Sequence, residues 1–443
     1  MKKVLIALTL FYSYATVNAA EIISLNTMYK NYHGSLRHDI SKAKLLQNKY
    51  RLQQAHANDD WEIFGSIGAS RNSEVLTSSS DRKYNATGGT IGLRYPLFGT
   101  MEAKENNVYL AEGTYAIEKQ NSLEIIDEDL YQITSSYINY WIALHKKYAT
   151  KNFLASEYEI KTQLLQRKSK GLLYESDYLE LLSAFSLARR NMIKSQQNIE
   201  LALRNFSIFM NGKVTPFVPT PAYFDNAPIT AKEKDHIVMQ DKTLKILDIE
   251  KNTLNKIIKN SDWSGIESDF SIAQSIGYET NPDGDTNSLS AAINLRMPFG
   301  IASHKHSQNK ILKYQLQEKE AEYSLRKSEI IRQINNQELD CETKLNTVDL
   351  QKIRLEGTSS TKYRQQLRVK MVDGDVIEQT VQADIRHYVQ YLDYLDALNN
   401  YLQAKATYNK LISKPYIGKN ISTTMSKYYN LLPSSNELQA VIF

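Results

Sequence analysis

The sequence predicts a mainly helical chain with a few membrane-suited β-strands, built as two tandem repeats of helix, strand, strand, long helix, helix. Three observations carry this fold class. GLRYPLFGTMEAK at Gly92–Lys104 returns in outline as NLRMPFGIASHKH at Asn294–His306, a shift of 202 residues from Pro96 to Pro298. The same shift carries Asp60-Trp61 onto Asp262-Trp263, and Asp39, Leu45 and Leu52 onto Asp241, Leu247 and Leu254. Gly171 and Gly374 stand 203 apart, so one internal duplication accounts for most of the chain. Second, none of the nine prolines falls between Pro96 and Pro216 or between Pro298 and Pro415, and proline is the residue a helix interior excludes. Third, the residues before Pro96 and Pro298 alternate between apolar and polar, the period of a strand.

Element by element, the chain begins MKKVLIALTLFYSYATVNAAE, a basic pair, an apolar run and a small-residue exit. This predicts a cleaved secretory signal over 1–19 with Ala20 first in the mature chain. The run is shorter than the roughly 20 residues of a spanning helix, and no later stretch approaches that length. Removing Lys2 and Lys3 leaves 52 basic against 49 acidic residues, a net +3, too balanced for a nucleic-acid partner. The one cysteine, Cys341, excludes an internal disulfide, and Ala20 in place of cysteine argues against a lipidated N-terminus.

The first repeat, 20–212, is expected to hold helices over about 22–58, 100–166 and 176–211 and strands over about 61–71 and 87–97. A polar, proline-rich linker covers 213–232. The second repeat, 233–413, has strands over about 264–278 and 288–299, and a tail covers 414–443. Helical spacing is plain in Leu123, Ile126, Leu130, Ile133, Tyr137, Tyr140 and Leu144, and again in Cys341, Leu345 and Val348. At about 1.5 Å per residue the long helix spans roughly 100 Å, which the two shorter helices match end to end.

In the fourth strand Leu289, Ala291, Ile293, Leu295, Met297 and Phe299 face one way and Ser290, Ala292, Asn294 and Arg296 the other. Ile91, Leu93, Tyr95 and Leu97 repeat the pattern. Strands of about 10 residues suit a tilted bilayer crossing, and Trp61, Tyr95, Trp263 and Tyr278 suit its interfaces. Asn72–Ala86 and Glu279–Asn287 are expected as the connecting turns. A soluble sheet with one wet face is the alternative reading. Four strands cannot close a spanning barrel, so a membrane sheet requires several protomers to share one.

The junctions at Pro96 and Pro298, and the stretch GLLYESDYLELLSAFSLARRNMIKSQQNIELALRNF from Gly171, carry a family likeness. Over about residues 22–413 the chain resembles the TolC-like outer-membrane efflux and secretion channels, the outer membrane factors. The resemblance implies a homotrimer forming a 12-stranded β-barrel in outer-membrane lipid, with a periplasmic coiled-coil tunnel beneath. It implies a bacterial outer-membrane location, an inner-membrane transporter, and a periplasmic adaptor (membrane fusion) protein docking at Gly171, Leu172 and Gly374. For the periplasmic gate, Asp177 matches the family's latching carboxylate, while Met371 and Val376 stand at its tyrosine and arginine positions. Thr380 and Ala383 replace its rings of acids. Arg368 or Lys370 as cation, and Asp373, Asp375 or Glu378 as ring, are the candidate substitutes, with Glu180 a further candidate on the helix of Asp177.

No nucleotide-binding loop, nucleophile with a base, or paired metal motif is present, so no enzyme activity and no cofactor are expected. His304 and His306 diverge if they open a helix, NPDGD lacks the remaining spacing of a calcium loop, and Asn85-Ala86-Thr87 is read as a chance glycosylation triplet. The 29 tyrosines are read as helix packing and interfacial contacts. The resemblance implies a passive exit duct, and, since its members with a lipidated N-terminal cysteine commonly serve efflux while those without one include protein-secreting systems, Ala20 leans this expectation toward type I protein secretion. Small-molecule efflux by the same kind of duct, and a secreted coiled-coil structural or adhesive protein, remain as alternatives.

Overall fold

Two compact units divide the chain. The computed structural model describes residues 21–58, 60–75, 81–210, 212–221, 224, 230–279, 285–371, 376–412 and 427–442. The expected signal, the NPDG turn and Asp373, Gly374 and Asp375 lie outside these residues. The first unit draws on Met1–Asp39, Ile125–Val238 and Ile330–Phe443, and the second on Ile40–Glu124 and Met239–Glu329.

The two halves have a similar element order, the first with a divided long helix and the second with an unbroken one. In the first half β1 (Ile22–Ile23), α1 (Leu25–Lys30) and α2 (Leu36–Ala57) lead into β2 (Glu62–Val75), β3 (Asp81–Leu97), α3 (Phe98–Ala155), α4 (Glu157–Ser169) and α5 (Glu175–Phe209). After β4 (Val218–Pro219) the second half follows as α6 (Ala231–Gln240), α7 (Lys242–Lys259), β5 (Glu267–Glu279), β6 (Asp285–Arg296), α8 (Ile301–Met371) and α9 (Val376–Leu411). α10 (Ser435–Ile442) ends the described chain. Among described residues no helix is long and apolar enough to cross a membrane.

Two expected helices are divided. The one expected over 22–58 opens instead with β1, which pairs in parallel with β4, and then breaks at Gly34, whose φ of +97° favours glycine. The one expected over 100–166 breaks at Ser156, where φ −91° and ψ 1° leave the α region. There the serine hydroxyl donates to the Phe153 carbonyl at 3.1 Å, taking an acceptor that helix continuation would use. The hairpins are also longer than expected, because β2 and β3 pair out to Val75↔Asp81 and β5 and β6 to Tyr278↔Asp285. Polar strand ends such as Arg71–Glu74 carry no apolar alternation, which is why the sequence reads them as turn.

In the first unit, Leu181, Phe185, Ala188, Ser195, Ile199, Ala202, Phe206 and Phe209 make the buried seam of α5. Their spacings of three, four and seven are those of a left-handed coiled coil. Tyrosines then anchor the irregular β1–β4 pair to α3. The Tyr140 ring stacks on Phe217 with centroids 4.6 Å apart, its hydroxyl donates to the Phe217 carbonyl at 2.7 Å, and the Phe217 N–H donates back to it at 3.0 Å. The Tyr137 hydroxyl lies 2.8 Å from the carbonyls of both Ile23 and Thr220. A phenol thus fills the core and pairs backbone groups that a two-residue strand leaves over. Capping boxes at Thr230/Glu233 and Ser434/Glu437 start α6 and α10, with each glutamate accepting the N–H of its cap residue at 2.8 and 2.7 Å.

His145 on α3 is fully buried against the edge of Trp141, and neither ring nitrogen has a hydrogen-bond partner. Burial pushes its pKa down from 6.5 to about 3. Since the folded value is the lower one, the unfolded chain binds the extra proton, and stability falls as pH drops from 6.5 toward 3. The limiting slope is about 1.4 kcal/mol per pH unit. His145→Leu is therefore expected to narrow the difference in denaturation midpoint between pH 7 and pH 4.5. An unchanged difference would show that other groups govern acid lability.

Candidate functional site

Two regions carry the features expected of a duct, one in each unit, and they are described separately.

In the second unit the four long strands form one antiparallel sheet ordered β2-β3-β5-β6. Its register aligns Ile63, Leu93, Ile272 and Ala291 across the sheet, then Tyr95, Phe270 and Ile293, then Ile67, Gly89 and Ile276. These rows share one face, which is apolar and exposed, Ile67 to 97%. Gln274 and Asn287 interrupt it and bond each other at 3.2 Å, so the two amides meet part of their own demand. The opposite face carries Ser66, Thr90, Arg94, Asp269, Ser290 and Asn294. Arg94 sits over the Phe64 ring at 5.0 Å and 3.5 Å from Asp269, whose carboxylate also accepts from Asn294 at 2.8 Å. The alternation predicts the polar face, but this trio appears only once the register is known.

At the helix side of the sheet the Trp61 ring lies 5.0 Å from Tyr95 and 6.4 Å from Phe270, and Phe98 lies 5.1 Å from Trp263. This row of half-exposed aromatics suits a lipid–water boundary. The two junctions differ. Pro96 sits within β3, and the chain passes from Leu97 straight into α3 at Phe98, whose φ of +40° is the one positive value among described non-glycine residues. A Cβ on Gly99 would lie 2.1 Å from the Ile266 carbonyl and 2.3 Å from that of Trp263, so only glycine fits. Pro298 instead stands after β6 in a turn, where Ile301 N–H returns to its carbonyl at 3.2 Å, and Gly300 faces open space.

In the first unit α4 turns into α5 at Gly171. Its φ is +71°, and a Cβ there would meet nothing within 4 Å, so backbone conformation alone selects glycine. Leu172 N–H reaches the Arg167 carbonyl at 2.9 Å and Gly171 N–H that of Lys168 at 3.0 Å, a Schellman closure. Leu173 is buried beneath the turn, while Leu172 and Tyr174 are left exposed at 58% and 80%. Lys168 straddles it, ion-paired with Glu175 and 4.9 Å over the Tyr178 ring. Sequence reading missed this pair, since residues seven apart meet only because the turn reverses the chain.

Asp177 is half-buried in the first turn of α5, where its carboxylate accepts from the Ser176 hydroxyl at 3.2 Å and faces the positive end of the helix dipole. Glu180 is exposed one turn on. Arg368 is exposed near the end of α8, and among described residues no ion pair joins it to Asp177. Glu378 lies in the first turn of α9 and accepts from Gln382 at 3.1 Å, while Ala383 is buried. The side chain of Lys370, like Asp373, Gly374 and Asp375, falls outside the description.

No family model matches the sequence, and no curated protein matches it. Solved structures do. The CmeC outer membrane channel of Campylobacter jejuni superposes with a TM-score of 0.73 at 12% identity, over 93% of this chain and 90% of that one. The chain has the fold of the outer-membrane channels. This channel fold also aligns with a membrane protein from Pseudomonas aeruginosa (TM-score 0.73, 12% identity, 88% and 92% covered). The open-state MtrE outer membrane channel of Neisseria gonorrhoeae aligns at 0.71, with 12% identity and 89% of each chain covered. Among described residues no group of three or more His, Cys, Asp or Glu could hold a metal ion, and His304 and His306 both lie in the first turns of α8.

Proposed function

We propose that the chain is one protomer of a trimeric outer-membrane exit duct, TolC-like, that passively conducts cargo handed over by an inner-membrane transporter and a periplasmic adaptor. The observation that carries this reading is the sheet: four strands, one exposed apolar face, and edge strands β2 and β6 with one partner each among described residues. An unpaired strand edge is not tolerated in hydrocarbon, and four strands are about half of the smallest single-chain barrel. Edge-to-edge pairing of copies meets both demands. The channel fold supports three as the number.

The adaptor is assigned to the Gly171–Leu172 turn and to Gly374. Polypeptide is the first reading of the cargo, and small-molecule efflux is the second. Outer-membrane fractions should yield a band of trimer size that collapses to monomer on boiling. A soluble monomer would end the proposal. Crosslinking from Leu172 should capture the adaptor and, through it, the transporter whose class names the cargo.

For the gate, Asp177 is assigned to holding the narrow end closed, with Arg368 or Lys370 opposite and Glu180, Asp373, Asp375 and Glu378 as acids near the mouth. Asp177→Ala should then raise single-channel conductance in planar bilayers, and unchanged conductance would remove Asp177 from the gate.

A further inference from the structure

Where the sheet hands over to its helices, the second copy carries a charge that the first does not. From Thr286 to Gln317 the chain has no aspartate or glutamate, while Arg296, Lys305, Lys310 and Lys313 fall within it. At the shift of 202 residues, Lys310 and Lys313 replace Val108 and Ala111, and His304, Ser307 and Tyr314 replace Glu102, Glu105 and Glu112. Arg296 and Lys305 are already engaged. The first lies 3.7 Å from Glu267, and the second donates to the Asp262 carbonyl beside the Glu102 charge. Lys310 and Lys313 are exposed, with neither a hydrogen bond nor an ion pair among described residues. Three apart, they share one face of α8. Lys259, equally exposed and unpaired among described residues, ends α7 at the same level, which the Ser261–Asn309 bond of 2.9 Å fixes.

Helix geometry relates this face to lipid. α8 starts at the sheet and runs away from it alongside α7, bonded in turn through Ser261–Asn309, Lys319–Glu250 at 3.1 Å and Arg326–Asp241 at 3.3 Å. At 1.5 Å per residue, Lys310 and Lys313 stand about 14 and 18 Å along it from Ile301. Helical side chains lean toward the N-terminus, here toward the sheet, so the ammonium groups return to within about a Debye length, 8–10 Å, of the headgroup layer outside the aromatic row. Met297 and Phe299, exposed between β6 and α8, continue the apolar face down to the same helix. We infer that Lys310, Lys313 and Lys259 form a binding face for anionic phospholipid headgroups of the leaflet on the helix side, whose phosphate oxygens accept from the ammonium groups. It rests on the duct reading, since this face meets lipid only if the sheet does. A positive face with no counter-charge of its own, directly beside an apolar one, matches such a lipid in charge and in order, and each lysine near the surface adds about fivefold in affinity.

The probe is phosphatidylglycerol with brominated chains, which quench tryptophan on contact, set against brominated phosphatidylcholine in vesicles holding the reconstituted protein. Trp61 and Trp263 report from the boundary, and buried Trp141 adds a constant background. At 0.1 M salt phosphatidylglycerol should be favoured about fivefold to tenfold, and at 1 M, where the Debye length is about 3 Å, the preference should vanish. Lys310→Gln with Lys313→Gln should bring it to within about twofold of parity at low salt. Lys42→Gln with Lys44→Gln removes the same charge from exposed positions on α2, about 20 Å or more from its sheet end, and should leave the preference intact. Failure to enter vesicles of either lipid would end the duct reading and this binding with it. Entry without a preference, a preference unmoved in Lys310→Gln/Lys313→Gln, or an equal loss in Lys42→Gln/Lys44→Gln would overturn the lipid face alone.

Discussion

Ile67→Arg is expected to abolish stable insertion into outer membranes, whereas Ser66→Arg, one residue away at the same depth, is expected to insert normally. Ile67 lies near the middle of β2 on the apolar face, aligned with Gly89 and Ile276, while Ser66 belongs to the polar face with Thr90 and Ser275. An arginine facing hydrocarbon near the bilayer midplane costs about 2–4 kcal/mol in each copy, and a symmetric assembly incurs it in every copy. On the other face the same side chain meets water. The measurement is the fraction of each variant recovered in outer membranes, followed by urea stability in lipid vesicles. Equal behaviour of the two variants would mean that the sheet does not separate lipid from water, and the duct would fall with it.

Phe153→Ala is expected to cost about 3–5 kcal/mol, the range for truncating a buried aromatic. Phe153 closes the last turn of α3 and is held between two parallel rings. The Phe185 centroid is 5.0 Å away at 17°, and the Tyr388 centroid is 4.4 Å away at 8°. One side chain thereby fastens α3 to both returning helices, α5 and α9, just before the chain breaks at Ser156. The same core takes in Leu164, Leu173, Leu181 and Val381, so it also supports the Gly171 turn. Denaturant midpoints of the solubilised protein measure the loss, with Phe153→Leu expected to recover part of it. A penalty below about 1 kcal/mol would place the fastening elsewhere.

Much of this architecture is legible in the residues because it is periodic. Period-two alternation gives the four strands, and spacings of three and four give the rods and the buried seam of α5. What is not periodic is not legible. Ile22–Ile23 pairs with Val218–Pro219 across nearly half the chain, and no two-residue strand announces itself. The break at Ser156 leaves no trace either, because Phe153, Ile160 and Leu164 keep a helical rhythm straight through it.

The candidate site divides in the same way. Gly171 is readable because a left-handed turn demands it, and the apolar face because it alternates. The Arg94–Asp269 contact depends on register, and the Lys168–Glu175 pair on a reversal of the chain. The gate candidates rest on a family likeness that matches at Asp177 and departs at Met371, Val376, Thr380 and Ala383.

The unequal elbows at Pro96 and Pro298 bear on how a doubled gene ages. One handover admits only the smallest residue at position 99, with two carbonyls crowding in from the turn just before β5, while Gly300, the glycine that follows the aromatic of the other handover, looks into empty space. A Cβ at 300 would meet no neighbouring atom within 4 Å, whereas one at 99 would have to displace two backbone carbonyls. The two halves have therefore ceased to be interchangeable parts, and a chimera made by duplicating the second half would inherit a looser bend at both corners.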